Sequence, residues 1–301
     1  QRRLLFEVQL PLLLDFVAHL RTRGASTMVL SEHAVGDWKA CGALLQTLSF
    51  CARFLDECQE AQPLVHFAAA SASATAAAAC EHGEPPTSLL LVAPPAAGRV
   101  FSAVLDDFEG IAADLEDQAV EQLTSSFSLG CRRYLQERRE FRLLPPPPST
   151  ALGIDVSSAL CEPLAQLRSE FGGVQSALPA AATRRVWQRV ASFIDQLLYE
   201  KLVCSVQCSA GGAAQLVCDL NAVMTSFTLF SARAHTQLRR LHQSCALLQL
   251  CGAGRMRLHR ILASPPDGVH AAAIAALADL GVHHLSVSEA RDLLSRLHDE
   301  P

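Results

Sequence analysis

Charge is scarce in this sequence. Asp, Glu, Lys and Arg make up 18% of its 301 residues, against 50% hydrophobic. That balance supports a large buried core and argues against disorder. A basic excess is missing too: 25 Lys and Arg face 30 Asp and Glu, for a net charge of −5. Neither a nucleic-acid groove nor broad electrostatic attachment to anionic lipid is expected from such a chain. Long, strongly apolar runs are also absent. The best candidate, Phe67 to Cys80, is mostly Ala and Ser, too weakly hydrophobic for a transmembrane span. No signal peptide is visible at the start. Gln1 is not a natural initiator, so the expectation is a piece of a longer chain.

The usual carriers of chemistry are missing as well. There is no Walker motif and no Gly-x-Ser-x-Gly elbow. Gly252-Ala253-Gly254 lacks the third glycine of a dinucleotide loop and follows no strand, so it reads as a helix stop. Cys204 and Cys208 sit at i,i+4 without a second Cys or His pair at zinc-like spacing. His283 and His284 are adjacent, diverge by about 100° on a helix, and read as surface residues. Asp106 and Asp107 lie on a charged helical face. No catalytic residue, metal or cofactor is therefore expected. An all-α enzyme whose groups converge only in space stays open as a rival reading. The eleven cysteines are odd in number, and most fall on apolar helical faces, as at Cys41, Cys218 and Cys245. They are expected to be free thiols in a reducing compartment.

What is present is helix after helix. Leu13, Leu14, Val17 and Leu20 share one face of a first helix, with Pro11 kinking or starting it and Gly24-Ala25-Ser26 breaking it. Trp38, Cys41, Leu45, Leu48, Ala52 and Leu55 alternate by three and four behind Asp37, a candidate N-cap. Leu64 to Ala79 is an Ala-rich helix by propensity. Glu81 to Pro95 is a loop, with a short strand conceivable at Ser88 to Val92. Ser102 to Arg139 is the longest periodic segment. Phe101, Val104, Phe108, Ile111, Leu115, Ala119, Leu123 and Phe127 fall on one face, and Gly130 suggests a bend. At 1.5 Å per residue it would span roughly 55 Å, which points to a rod. Residues 143–153 include the stiff run Pro145 to Pro148. That spacer is expected to separate a helical bundle at 1–142 from a second at 154–301. In the second, Leu160, Leu164, Leu167 and Phe171 precede a stop at Gly172-Gly173. Near the end, Pro265 to Gly268 is a turn, Ile274, Leu277 and Leu280 face inward, and Gly281 closes their helix. Ser286 and Glu289 form a capping box for a last helix through Ala290, Leu293, Leu294 and Leu297. The fold class is all-α.

Everything is organised around Trp187 to Leu250. Three amphipathic segments follow one another there, and Gly211-Gly212-Ala213-Ala214-Gln215-Leu216 marks the central break. Leu216, Leu220, Val223, Phe227 and Phe230 recur on one helical face. The paired glycines fit a helix end, a turn and a new start, at positive φ or at a close backbone contact. Phe193, Tyr199, Phe227 and Phe230 read as core aromatics, with Phe227 expected near Trp187 or Ile194. The arginines Arg184, Arg185 and Arg189 around Trp187, with Arg239 and Arg240 later, read as solvated faces. A protein–protein patch is the minority reading.

This block resembles the RINT/TIP family of vesicle-tethering subunits. In that family a segment of the type LDxxLYxEVI precedes GGAAQLxFD and a helix with spaced Phe residues. Asp195, Leu198, Tyr199, Gly211, Gly212, Ala213, Ala214, Gln215, Leu216, Asp219 and Phe227 carry the likeness, which extends more weakly over nearly the whole chain. The sequence departs from the pattern at Gln207 to Ala210, where an acidic residue is missing, and at Ser231 to His235, which replaces a basic Pro-containing turn. The resemblance implies consecutive antiparallel bundles in an elongated helical rod. It also implies a role in retrograde Golgi-to-endoplasmic-reticulum transport, peripheral on the cytosolic face of the endoplasmic reticulum. SNARE proteins and other tether subunits would be the partners, with the amino-terminal coiled coil lying outside this chain. The family is also linked to a DNA-repair ATPase complex and a cell-cycle checkpoint. A different helical scaffold or adaptor is the alternative.

Overall fold

The structure, a computed structural model, describes residues 8–27, 37–60, 101–144, 154–263 and 266–297. Among them are helices and turns and no strand; one isolated bridge joins Cys208 and Leu297. The helices are α1 Leu10–Thr27, α2 Trp38–Glu60, α3 Ser102–Gly130, α4 Arg132–Gln136, α5 Ser158–Ala177, α6 Ala180–Leu198, α7 Ala210–Ser226, α8 Arg239–Leu248, α9 Gly252–Ala263, α10 Pro266–Asp279 and α11 Val287–Ser295. The chain is all-α, as its periodicity predicts. The expected helix at Leu64 to Ala79, the loop at Glu81 to Pro95 and the proline run lie outside the described residues.

Two compact units divide the chain. One comprises Gln1–Ala119 with Val174–Ala182, the other Val120–Gly173 with Thr183–Pro301. In the first unit, α1 and α2 pack together. Val17 and Leu20 of α1 are buried, with Trp38, Cys41, Leu45, Leu48 and Leu55 of α2 and Val104, Phe108, Ile111 and Leu115 of α3. Asp37 caps α2, its Oδ1 accepting the Ala40 N–H at 3.0 Å. Two expectations fail here. Leu14 is 41% exposed, so the buried stripe of α1 is narrower than its leucines suggest. Gly24 does not break the helix, which runs on to Thr27; Ile111 and Leu115 stand 3.7–3.9 Å from where its Cβ would be. A lone mid-helix glycine costs only about 1 kcal/mol, less than such packing returns.

The second unit buries Leu123, Phe127, Tyr134 and Phe141 with Leu160, Leu164, Leu167 and Phe171, and the inner faces of α6, α7, α8 and α11. The periodic stretch after Ser102 is shorter than expected. Its helix stops at Gly130, then restarts as α4 and a 3₁₀ turn over Glu137–Arg142. A Cβ on Gly130 would sit 3.4 Å from the Pro163 ring, so α5 crosses closely there. Gly172-Gly173 does not end α5, which continues to Ala177. Gly252-Ala253-Gly254 opens α9 rather than stopping a helix. Pro266 to Gly268 likewise belong to α10, where a proline in the first turn gives up no helical hydrogen bond. In α10 Leu277 is buried, whereas Ile274 and Leu280 are 51% and 38% exposed; an alanine-rich helix leaves little to mark its inner face. Gly281 closes it at φ 74°. The capping box at Ser286 and Glu289 is present in full.

The aromatic packing also differs in detail. Phe227 meets Phe171 edge-on at 5.2 Å. Phe230 is the ring stacked on Trp187, at 6.0 Å and 12°, and it also meets Phe171 at 4.8 Å. Phe193, expected in the core, is 40% exposed. The helix ends at Ser226 with Phe227 as its C-cap, and Thr228 to Phe230 follow as a turn, so the 3/4 spacing no longer dictates which ring reaches α6.

Candidate functional site

The glycine-containing block stands at the start of α7. Ser209 is its N-cap: the Oγ accepts the Gly212 N–H at 3.1 Å. The same hydroxyl donates to the Leu144 carbonyl at 2.6 Å, and the Ser209 N–H donates to the Phe141 carbonyl at 3.1 Å. The Cys208 N–H donates to the Arg296 carbonyl at 3.1 Å. The helix therefore starts against the backbone of two other segments.

Gly212 permits that approach. A Cβ there would land on the Phe141 carbonyl oxygen and lie 2.6 Å from the carbonyl carbon. Backbone cannot yield as a flexible side-chain tip can, so only hydrogen fits. Positive φ is not the reason, because Gly281 alone among the described glycines adopts it. The glycine pair also lies inside the first turn of α7 rather than at a helix end. Gly211, Gly212 and Ala213 are buried and Ala214 is half-buried, while Leu216 points fully into the core.

Gln215 and Asp219 extend the tie one and two turns on. Asp219 is wholly buried. Its Oδ2 accepts the Tyr134 hydroxyl at 2.9 Å and the Ser157 hydroxyl at 2.6 Å. Its Oδ1 accepts the Ser157 N–H at 2.8 Å and Gln215 Nε2 at 3.1 Å. Gln215 also donates to the Asp155 carbonyl at 2.8 Å. One carboxylate thus holds the entry to α5, the tyrosine of α4 and its own helix. Burial, and then the Asp219 charge, push the Tyr134 hydroxyl well above the usual tyrosine range, so it stays a donor. Among these residues, sequence reading missed Ser209, Ser157 and Tyr134. Ser209 stood three residues before Gly212 as an ordinary N-cap signal, and Ser157 stands in the same kind of position just before α5; Tyr134 carries none.

Asp195 and Tyr199 belong to a second cluster. Asp195 is buried and accepts the Leu241 N–H at 3.0 Å and the Arg240 N–H at 3.3 Å. It therefore caps α8 from α6, where no local cap exists. Burial raises its carboxyl above the ordinary Asp value, and the two backbone donors only partly offset this. The Arg240 guanidinium stands 5.1 Å over the Tyr199 ring. Burial, with Cys204 and Glu289 beside it, raises the Tyr199 hydroxyl.

None of this assembles a reactive centre. An open cleft beside the block is lined by Tyr134, Glu137, Glu140, Phe141, Ser157 and Gln215 among others, with no histidine or cysteine among its described lining residues. Ser157 donates to Asp219 without a general base. Among the described residues no three His, Cys, Asp or Glu groups converge as metal ligands. Burial pushes the Cys208 thiol up to about 12, which disfavours the thiolate that a metal or an electrophile would need. The ten cysteines among the described residues are free thiols, and none of the described helices is long and apolar enough to cross a membrane.

The comparisons with known proteins fit this picture of a helical clamp. A solved structure of the Dsl1 complex subunit Tip20, with the SNARE Sec20 bound, superimposes with a TM-score of 0.56 at 14% identity. The match covers 86% of this chain and 41% of that one, so this chain spans about two fifths of its neighbour's length. At that identity the likeness establishes the fold. The sequence itself matches the RINT-1/TIP-1 family over residues 1–297. Over practically its whole length, then, this chain belongs to the RINT-1/TIP-1 family.

Proposed function

We propose that this protein is a subunit of a vesicle-tethering complex in retrograde transport from the Golgi to the endoplasmic reticulum. It acts there as a protein–protein scaffold that engages SNAREs and other tether subunits. The observation that carries the reading is the family match across residues 1–297. The geometry supports it: the family block serves as an internal clamp that ties helix starts to neighbouring backbone. Attachment to the cytosolic face of the endoplasmic reticulum runs through partners rather than through a span of this chain's described helices. The block residues from Gly211 to Asp219 serve the fold, and partner contacts lie on outer faces.

The test is affinity purification of the tagged full-length protein from cells, paired with its depletion. Endoplasmic-reticulum SNAREs and tether subunits should co-purify, and Golgi-to-endoplasmic-reticulum cargo should stall on depletion. Purification without any SNARE, together with normal return of cargo, would overturn the reading.

A further inference from the structure

Ser26 follows two arginines, Arg21 five residues before it and Arg23 three before it. The spacing Arg-x-Arg-x-x-Ser or Thr occurs once in the chain. It lies where α1 ends, since the helix stops at Thr27, one residue after Ser26. Arg21, Thr22, Arg23, Ala25 and Ser26 are exposed, and the buried residue among them, Gly24, has no side chain. The apolar anchors of α1, Val17 and Leu20, come earlier. Opening the helix from residue 21 onward therefore withdraws no apolar side chain of α1 from the core. Gly24 lowers helix propensity in that stretch, and helix ends fray readily.

The ties that hold this end are slight. Thr22 Oγ1 donates to the Ala18 carbonyl and Ser26 Oγ to the Arg23 carbonyl, each at 2.9 Å and each within the helix. The Arg21 guanidinium reaches α3, meeting Asp107 at 2.7 Å. Arg21 is 59% exposed and Asp107 34%, and surface pairs of that kind hold weakly. Arg23 is also engaged in the folded helix. An enzyme that reads the two arginines takes them from the opened form, where the fold no longer holds them.

We propose that Ser26 is a phosphorylation site of an arginine-directed serine/threonine protein kinase, and that the phosphate unlatches the last turn of α1. Kinases select substrates by charge pattern, and two arginines at fixed distance before a hydroxyl suit an acidic substrate groove. The Ser26 Oγ attacks the γ-phosphorus of ATP. The new O–P bond forms as the bond from that phosphorus to the β-bridging oxygen breaks, ADP leaves, and the hydroxyl proton passes to the kinase's carboxylate. Three forces then open the turn. The esterified oxygen has no hydrogen left to donate to the Arg23 carbonyl. A charge of about −1.5 to −2 stands at the negative end of the helix dipole. The stretch of α3 that meets α1 is itself acidic, with Asp106, Asp107, Glu109, Asp114, Glu116 and Asp117. This modification goes beyond the tethering reading and does not rest on it.

The test incubates the 301-residue chain with ATP and a purified kinase that selects arginine at the fifth and third positions before its target, and maps the phosphate by tandem mass spectrometry. Ser26 should be labelled, and Ser26→Ala should remove that label. Arg23→Ala and Arg21→Ala should each slow labelling about tenfold, the size of one lost charge-assisted pair. Arg21→Ala also breaks the tie to Asp107, so if opening alone mattered the rate would rise instead. Asp107→Ala leaves both arginines in place and should speed labelling. Ser192 and Thr236, with an arginine only at the third position before them, should be labelled far more slowly. Hydrogen–deuterium exchange of the amides from Gly24 to Thr27 should run about tenfold faster in the phosphorylated chain. These side chains are exposed, so circular dichroism of the variants should match that of the parent chain. No phosphate on Ser26, or an unchanged rate for Arg23→Ala, would overturn the site. Unchanged exchange after full labelling would overturn the unlatching.

Discussion

Among the described residues, two helices touch a neighbouring backbone through a glycine, one in each unit. In the first unit, a Cβ on Gly42 would land on the Ala177 carbonyl oxygen and 2.7 Å from its carbon. In the second, Gly212 meets the Phe141 carbonyl in the same way. The steric demand is alike, but the surroundings differ. Ala177 is the last residue of α5, and helix ends fray and shift at small cost. The Phe141 carbonyl accepts the Ser209 N–H, and Ser209 also caps α7 and donates to Leu144. A close contact beside a helix end can relax; one fixed by hydrogen bonds on both partners cannot. Rigidity at such a crossing therefore comes from the polar ties around the glycine as much as from the missing side chain.

The largest expected effect tests that difference directly. Gly212→Val should cost more than about 4 kcal/mol, in the range reserved for severe core disruption. Gly42→Val should cost about 1–3 kcal/mol, as overpacking usually does. Urea unfolding followed by circular dichroism measures both, and equal losses would erase the distinction.

Asp219 sharpens it. Asp219→Ala leaves the Tyr134 hydroxyl, the Ser157 N–H and Gln215 without their buried acceptor. A loss of about 3 kcal/mol is expected, since stranded donors forfeit their full desolvation penalty. With the tie gone, adding Gly212→Ala should cost less than it does in the parent chain, a coupling of about 0.5–3 kcal/mol. Strict additivity of the two losses would show that the carboxylate does not stiffen the glycine contact.

The smallest effects concern two carboxylates that cap helices in the second unit. Burial raises Asp195, so its contribution is fully present below its ordinary pKa of 3.8 and is lost as pH rises through the folded value. For Glu289 burial pulls upward, but the Ser286 hydrogen bonds, the Arg240 charge and the Tyr199 hydroxyl outweigh it and the pKa falls. Its contribution is present above 4.5 and is lost as pH falls through the folded value. Asp195→Asn and Glu289→Gln should change the pH dependence of the unfolding midpoint below neutrality in opposite directions, each by about 1 kcal/mol or less. Changes of the same sign would contradict the different burial of the two caps.

Much of the fold was legible because apolar spacing marks a helix's inner face wherever the pattern is strong. All eight residues from Phe101 to Phe127 expected on one face are buried, as are Leu160, Leu164, Leu167 and Phe171. Legibility fell where the pattern thinned. Helix α10 is rich in alanine, and Ile274 there points outward. Glycines were over-read as stops, at Gly24, at Gly172-Gly173 and at Gly252 to Gly254, because a helix that packs well tolerates the loss of propensity. Gly42 went unremarked inside the regular pattern of α2, although its contact is as close as that of Gly212.

By itself the sequence determined the class of fold, the course of most helices, the capping box at Ser286 and Glu289, and the family. These rest on local spacing and on a contiguous run of residues, both written along the chain. Only the tertiary structure decided why Gly212 must be glycine, where the Asp195 and Asp219 carboxylates reach, and which aromatic ring stacks on Trp187. Each of these depends on groups tens of residues apart, such as Phe141 for Gly212, Leu241 for Asp195 and Tyr134 for Asp219. Spacing along one helix cannot encode a partner on another; the packing of the core chooses it.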